Sequence, residues 1–202
     1  FLATAVQAVT RAGAMQLAGI DDLRVEKKGA IDLVTQIDRD VERMFRALVA
    51  GRFPDHVVLA EEFETSGERQ RDAEYTWVFD PVDGTTNYAH GLPIFCCACS
   101  LERRGRPIVA AIYDPSRREL FTAERGLGAW LNGAPMRVSS ADTLIDSLLC
   151  TGFPYSVQRD SGYLLELFAA FLHRARAVRR LGSAGIDMAY VAGGRVGGFL
   201  GV

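Results

Sequence analysis

The run Trp77-Val78-Phe79-Asp80-Pro81-Val82-Asp83-Gly84-Thr85-Thr86-Asn87 decides how the rest of the chain is read. Tyr75 to Phe79 is aromatic and β-branched, the composition of an interior strand. Pro81 has no N–H to give a ladder, so the strand is expected to stop at or near Asp80. Asp83-Gly84 is turn chemistry, and Gly84 lets backbone approach a ligand closely. Thr85 and Thr86 fall where a new helix leaves its first N–H groups unpaired. Asp80 and Asp83, three residues apart, are spaced to converge on one hard cation. The free N–H groups behind them favour a phosphate. Metal and phosphate in one turn is the layout of a metal-dependent phosphoryl-transfer site. Taken alone, D-x-x-D-G has a plainer reading as an Asp-rich surface turn.

Upstream, His56 to Ala60 reads as a short strand with Glu61-Glu62 at its end. If that strand lies beside Tyr75–Phe79, Glu61 projects at the same sheet end as Asp80 and Asp83. Three carboxylates in a small volume call for cations. Before it, Thr35-Gln36-Ile37-Asp38 opens a helix whose apolar face is Val41, Met44, Phe45, Leu48 and Val49. Asp38 reads as an N-cap, where a carboxylate is favoured. Phe53-Pro54 ends that helix. Glu26-Lys27-Lys28-Gly29 reads as a hairpin tip; a phosphate contact and a solvated turn are both open for Lys27 and Lys28. The chain starts with a packing helix on Leu2, Val6, Val9, Gly13 and Leu17, with Gln7, Arg11 and Gln16 elsewhere on the wheel. Residues 63 to 74 are polar and read as a loop.

Downstream, residues 94 to 138 read as an antiparallel meander, with turns at Arg103-Arg104-Gly105-Arg106, Asp114-Pro115-Ser116 and Asn132-Gly133. Gly126-Leu127-Gly128 is not a dinucleotide fingerprint. Leu148 to Thr151 reads as a strand. Residues 160 to 175 read as a helix with Leu164, Leu167, Phe168, Phe171 and Leu172 inward. Val178 to Leu181 is a short strand, and Gly182-Ser183-Ala184 starts a helix through Val191. Gly-Ser-Ala there is explained equally by close packing and an N-cap. Arg179 and Arg180 are candidates to face a phosphate, without a motif behind them.

At 202 residues the chain is one domain or two lobes sharing a core, and it buries roughly 70% of its unfolded surface. Charged residues are 24% and the net charge is −2, so there is no electrostatic footprint of nucleic-acid binding. No signal peptide or membrane span is read. Cys96, Cys97, Cys99 and Cys150 read as small core residues in a reducing, cytoplasmic setting, since no paired Cys-x-x-Cys or clustered His makes a zinc site. No phosphoenzyme is expected, because no Cys or His sits near the central motif.

The motif from Trp77 to Asn87 resembles the W-x-x-D-P-x-D-G-T-x-N signature of the inositol monophosphatase-like, magnesium-dependent, lithium-sensitive sugar phosphatases. Asp32-Leu33-Val34-Thr35-Gln36-Ile37-Asp38, Ala60-Glu61-Glu62 and Gly182-Ser183-Ala184 resemble further family segments, in order and at similar spacing. The resemblance implies a layered αβαβα sandwich of the inositol monophosphatase and fructose-1,6-bisphosphatase type. An N-terminal lobe of residues 1–143 would hold a large antiparallel sheet and the metal site. A C-terminal α/β lobe, 144–202, would have a smaller mixed sheet. It also implies Mg2+ on Glu61, Asp80, the Val82 carbonyl and Asp83. Asp38, Glu61 and Thr85 would activate water. Lys27, Gly84, Thr85 and the segment Gly182, Ser183 and Ala184 would meet the substrate. A small phosphorylated polyol or sugar and a homodimer follow from the same resemblance. Both chain ends read as cut, and the family carries a further metal-binding Asp beyond this point. An ungapped alignment puts Gly201 where many inositol-specific members have a substrate-binding Glu. Fructose 1,6-bisphosphate, adenosine 3′,5′-bisphosphate and histidinol phosphate are alternative substrates. A partner-binding protein on the same fold is the alternative from another class.

Overall fold

The computed structural model describes residues 1–20, 25–27, 33–62, 73–154, 157 and 162–201. Its elements are α1 (Leu2–Gly19), β1 (Val25–Lys27), β2 (Leu33–Thr35), α2 (Gln36–Arg52), β3 (Val57–Ala60), β4 (Tyr75–Asp83) and α3 (Thr85–Ala89). There follow β5 (Cys96–Arg103), β6 (Arg106–Asp114), β7 (Glu119–Glu124), β8 (Gly128–Leu131) and β9 (Ala134–Pro135). The chain continues with β10 (Leu148–Thr151), α4 (Gly162–Leu172), β11 (Ala177–Arg179), α5 (Ala184–Ala192) and β12 (Gly198–Leu200). Lys28, Gly29, Asp32 and residues 63–72 lie outside the described residues.

The large sheet has the order β3-β4-β5-β6-β7-β8-β9. From β5 to β9 it is the expected antiparallel meander, β4 joins it antiparallel to β5, and β3 is added in parallel to β4. Arg104-Gly105 and Asn132-Gly133 turn with positive φ at both residues, the mirror-image turn that matches strand twist. Ala60, the last residue of β3, pairs with Phe79, so Glu61 follows it at the level of Asp80 on β4.

Strand β4 does not stop at Asp80, as Pro81 suggested; it runs to Asp83. Its register with β5 passes from Asp80–Ala98 to Asp83–Cys96, which leaves one extra residue on β4. A bulge of this kind takes Pro81 out of the ladder, so its missing N–H costs no pairing.

Alternation along β5 separates the two faces. Cys97, Cys99 and Leu101 belong to the main core with α1 and α2. Cys96 points the other way, where a Cβ on Gly185 of α5 would come within 3.0 Å of its sulfur. On the α2 side the Phe45 ring stacks on Phe79 at 3.9 Å and meets Trp77 edge-on at 6.0 Å. The buried stripe of α1 differs from the expected one. It is Thr4, Ala5, Ala8, Val9, Ala12, Gly13 and Gln16, while Leu17 is 47% exposed. Small residues let the helix lie close on the sheet; a Cβ on Gly13 would come within 2.5 Å of Tyr113.

The second sheet, β11-β10-β12, is parallel in both pairings rather than mixed. Its strands are joined through α4 and α5, and helical crossovers return a strand in the same direction. Helix α4 buries only Leu164 of the residues expected inward; Leu172 is 50% exposed, because a sheet of three strands covers a narrow stripe of a helix. The layers are thus α1 and α2, the large sheet, α5, the small sheet and α4. No helix among the described residues is long and apolar enough to cross a membrane.

Replacing Phe45 by Ala removes the ring that seats α2 on β4. The expected loss is about 3–5 kcal/mol of unfolding free energy, read from urea denaturation.

Candidate active site

Gly84 follows β4 with φ 96°, and a Cβ there would stand 3.0 Å from the Ile94 carbonyl and 3.3 Å from that of Gly182. Only glycine makes this reversal without strain. Helix α3 starts at once, and its Asn87 donates from Nδ2 to the carbonyls of Ile94 and Leu181, both at 2.8 Å. The last residue of the central motif therefore ties the large sheet to the segment leaving β11.

Asp83 makes the second tie. Its carboxylate accepts from Ser183 Oγ at 2.6 Å, from the Ala184 N–H at 3.1 Å, and from the Gly185 N–H. It thus sits on the N-terminus of α5, where unpaired N–H groups and the helix dipole favour an anion. Ser183 is also the N-cap, accepting from the Ile186 N–H. The Cys96 thiol donates to Asp83 at 3.3 Å, so a cysteine does lie beside the motif, contrary to the expectation. Burial pushes this thiol far up, and the Asp83 charge adds to the effect. It is a hydrogen-bond donor and not a thiolate nucleophile.

Asp80 accepts from the Val82 N–H at 3.1 Å. Burial, then the negative charges of Asp83 and Glu61, push its pKa well above the usual carboxylate range. These three groups face one space, and Asp83 and Glu61 raise the cost of ionising Asp80. Glu61 follows β3 in a turn braced by Glu42. That fully buried carboxylate accepts from the Glu62 N–H at 2.7 Å and from Arg46 Nε at 2.7 Å. Glu42 carries no sequence signal beyond standing four residues after Asp38 on α2.

Asp38 is not the N-cap of α2. Thr35 is, and Asp38 at the third helical position closes a capping box by accepting from the Thr35 N–H at 2.8 Å and the Thr35 hydroxyl. Burial raises its pKa, and these hydrogen bonds oppose the rise. Its other oxygen lies 3.3 Å from the Thr85 hydroxyl, which donates to the Val82 carbonyl at 2.8 Å. The single Thr85 hydroxyl proton thus has two acceptors within reach, the Val82 carbonyl and the Asp38 carboxylate.

A cavity of about 530 Å³ opens at this point. Glu61, Asp80, Val82, Asp83, Gly84 and Thr85 border it from the large sheet, and Gly182, Ser183 and Ala184 from the far side. Every site residue expected from the motif segments borders it except Asp38, which reaches it through Thr85. Lys27 is placed on β1, opposite Leu33. Arg180 lines the cavity, while Arg179 turns to the Val178 carbonyl on the surface. Among the described residues no three His, Cys, Asp or Glu side chains form a metal cluster; the Asp83 carboxylate is turned to the α5 terminus. The donors at hand are nevertheless all oxygen, the set a hard divalent cation takes, and the repulsion around Asp80 is what a cation relieves.

Asp187, one turn into α5, also borders the cavity and was not foreseen. It is 1% exposed, and its Oδ1 has no hydrogen-bond partner. Burial raises its pKa to about 6, against the hydrogen bond from the Cys150 thiol. The four-residue step from Ser183 was its only sequence signal.

The sequence profile of the inositol monophosphatase family matches residues 1–201. The inositol-1-monophosphatase of Rhizobium meliloti (strain 1021) is 40% identical over 198 residues, 96% of this chain and 73% of that protein. The Nus factor SuhB of Escherichia coli (strain K12) is 39% identical over 199 residues, again 96% and 73%. The crystal structure of the extragenic suppressor protein suhB from Bartonella henselae superposes with a TM-score of 0.89 at 38% identity, covering 98% of this chain and 76% of that one.

The raised pKa of Asp187 has a consequence for stability. The folded value, about 6, lies above the unfolded one, so the folded state holds the proton more tightly. Stability therefore falls as pH rises from about 4 to about 6, and the loss persists above that. Asp187→Asn should flatten this dependence and leave the metal-free protein about 1–3 kcal/mol more stable than wild type at pH 7, but not at pH 4. Denaturant unfolding at the two pH values in chelator checks it.

Proposed function

This chain belongs to the inositol monophosphatase family, and from that premise we propose that it hydrolyses a small phosphorylated polyol or sugar, inositol 1-phosphate foremost, by magnesium-assisted attack of water. The observation that carries this reading is the single cavity bordered by Glu61, Asp80 and Asp83, with the Thr85–Asp38 pair at its edge. Glu61, Asp80, the Val82 carbonyl and Asp83 would hold magnesium. When bound, the ion supplies the positive charge that makes water a nucleophile at neutral pH and steadies the leaving oxygen.

The chain's own groups do the rest. Thr85, joined to Asp38, orients the attacking water and passes its proton toward the buried carboxylate. A carboxylate with a raised pKa is better suited to accept that proton than one at its ordinary value. The N–H groups of Gly84 and Thr85 meet the phosphate oxygens, and Arg180 brings a positive charge to the same cavity. Gly182, Ser183 and Ala184 form the wall against the polyol. Lys27 stays with the phosphate in this reading. Gly201 offers no carboxylate to substrate hydroxyls, which leaves room for the other monoesters named above. The same family reading carries a homodimer.

The test is inorganic phosphate release from inositol 1-phosphate with and without magnesium. Release that needs magnesium and is suppressed by lithium is expected. Asp83→Asn and Thr85→Ala should each lower kcat by about 10²-fold or more at saturating magnesium, with the fold intact by circular dichroism. Wild-type turnover in either variant would remove that residue's role. Release from another monoester alone would move the substrate and keep the site. Absence of release from every phosphate ester tried would overturn the hydrolase reading and favour the partner-binding one that the SuhB relative's name suggests.

A further inference from the structure

Gln16 is fully buried in α1, on a helix face otherwise made mostly of small residues. Its Nε2 donates to the Pro81 carbonyl at 2.8 Å and to the Cys96 carbonyl at 3.3 Å. Both neighbours are acceptors, so the amide must present its NH2 end to them. Its Oε1 is then left buried without a partner. An apolar residue of the same shape would avoid that cost but leave the Pro81 carbonyl without this donor.

The peptide it holds is the one that sets the site. The Pro81–Val82 unit carries the Pro81 carbonyl at one end and the Val82 N–H at the other. Gln16 takes the first at 2.8 Å, and the second donates to Asp80 Oδ1 at 3.1 Å. The next carbonyl, that of Val82, accepts from Thr85 at 2.8 Å. Pro81 and Val82 lie in the bulge, where β4 has no register with β5. The ladder therefore does not fix the rotation of this peptide plane, and Gln16 does. Gln16 is itself anchored through its own carbonyl, which accepts from the Tyr88 hydroxyl at 2.6 Å.

We propose that Gln16 is a positioning residue for the metal site: by holding the Pro81 carbonyl it sets the rotation of the Pro81–Val82 peptide, and with it the Asp80 carboxylate and the Val82 carbonyl. The proposal rests on the magnesium site described above. It predicts an effect on cation binding from a side chain that reaches the cavity only through the backbone.

The test is Gln16→Met, which keeps the length and removes the donor, with Gln16→Leu in reserve should the Met variant misfold. Calorimetric titration should show magnesium affinity weakened about 10-fold or more. At saturating magnesium kcat should stay within about 3-fold of wild type, since outer-shell losses fall on metal affinity. The melting temperature in chelator should fall by no more than a few degrees, because removing the unpaired Oε1 offsets part of the loss of the donor to the Pro81 carbonyl. A crystal structure of the variant should show the Pro81–Val82 peptide rotated and the Val82–Asp80 contact beyond about 3.5 Å. Wild-type magnesium affinity in the variant overturns the proposal. If wild type itself binds no magnesium, the family-based reading fails instead, and the crystal structure decides alone: an unrotated peptide overturns the positioning role, and a rotated one upholds it.

Discussion

The carboxylate of Asp83 lies where the two sheets are joined. It ends β4 of the large sheet and receives the Ser183 hydroxyl and the free N–H groups that start α5, the helix leading into the small sheet. Asn87 adds a second link to the Leu181 carbonyl a few residues along the same loop. The cavity exists because these contacts bring the far wall to within hydrogen-bonding reach of the motif. A residue proposed as a metal ligand is therefore also the structural hinge pin of the site, and its charge is satisfied by a helix terminus.

The price of this arrangement is electrostatic. Asp80, Asp83 and Glu61 share one opening, and the pKa of Asp80 is driven up by burial and by both neighbours. A folded protein tolerates such a cluster only with a compensating charge or a proton. The supporting groups are arranged accordingly. Glu42 holds the turn at Glu62, Gln16 holds the back of the bulge, and the capping box holds Asp38, each by a hydrogen bond. All three come from α1 and α2, so the helical layer over the large sheet sets the geometry of the site as well as supplying the core.

Much of this was legible in the chain. The strand–turn–helix at Trp77 to Asn87, the meander and the helix start at Ser183 follow from local chemistry: β-branched runs, Gly and Asn in turns, Ser at an N-cap. The misreadings share one cause. Gln16 and Leu17 exchange places relative to the expected stripe because a polar residue reads as facing water, whereas the sheet offers Gln16 two carbonyls and the close approach of α1 excludes a large side chain. Pro81 reads as a stop because the bulge that accommodates it belongs to the pairing with β5. Cys96 and Asp187 were missed because their partners, Asp83 and Cys150, are remote in sequence.

By itself, then, the sequence determined the family, most of the elements and which carboxylates, hydroxyls and glycines border the cavity, since these depend on residue type at short spacing. The tertiary structure alone decided which groups hold those residues in place: the Pro81 peptide by Gln16, the Glu61 turn by Glu42, Asp83 by the start of α5. Such support is given by whatever donor the packing brings to an unpaired backbone or side-chain group, and no short-range pattern records it.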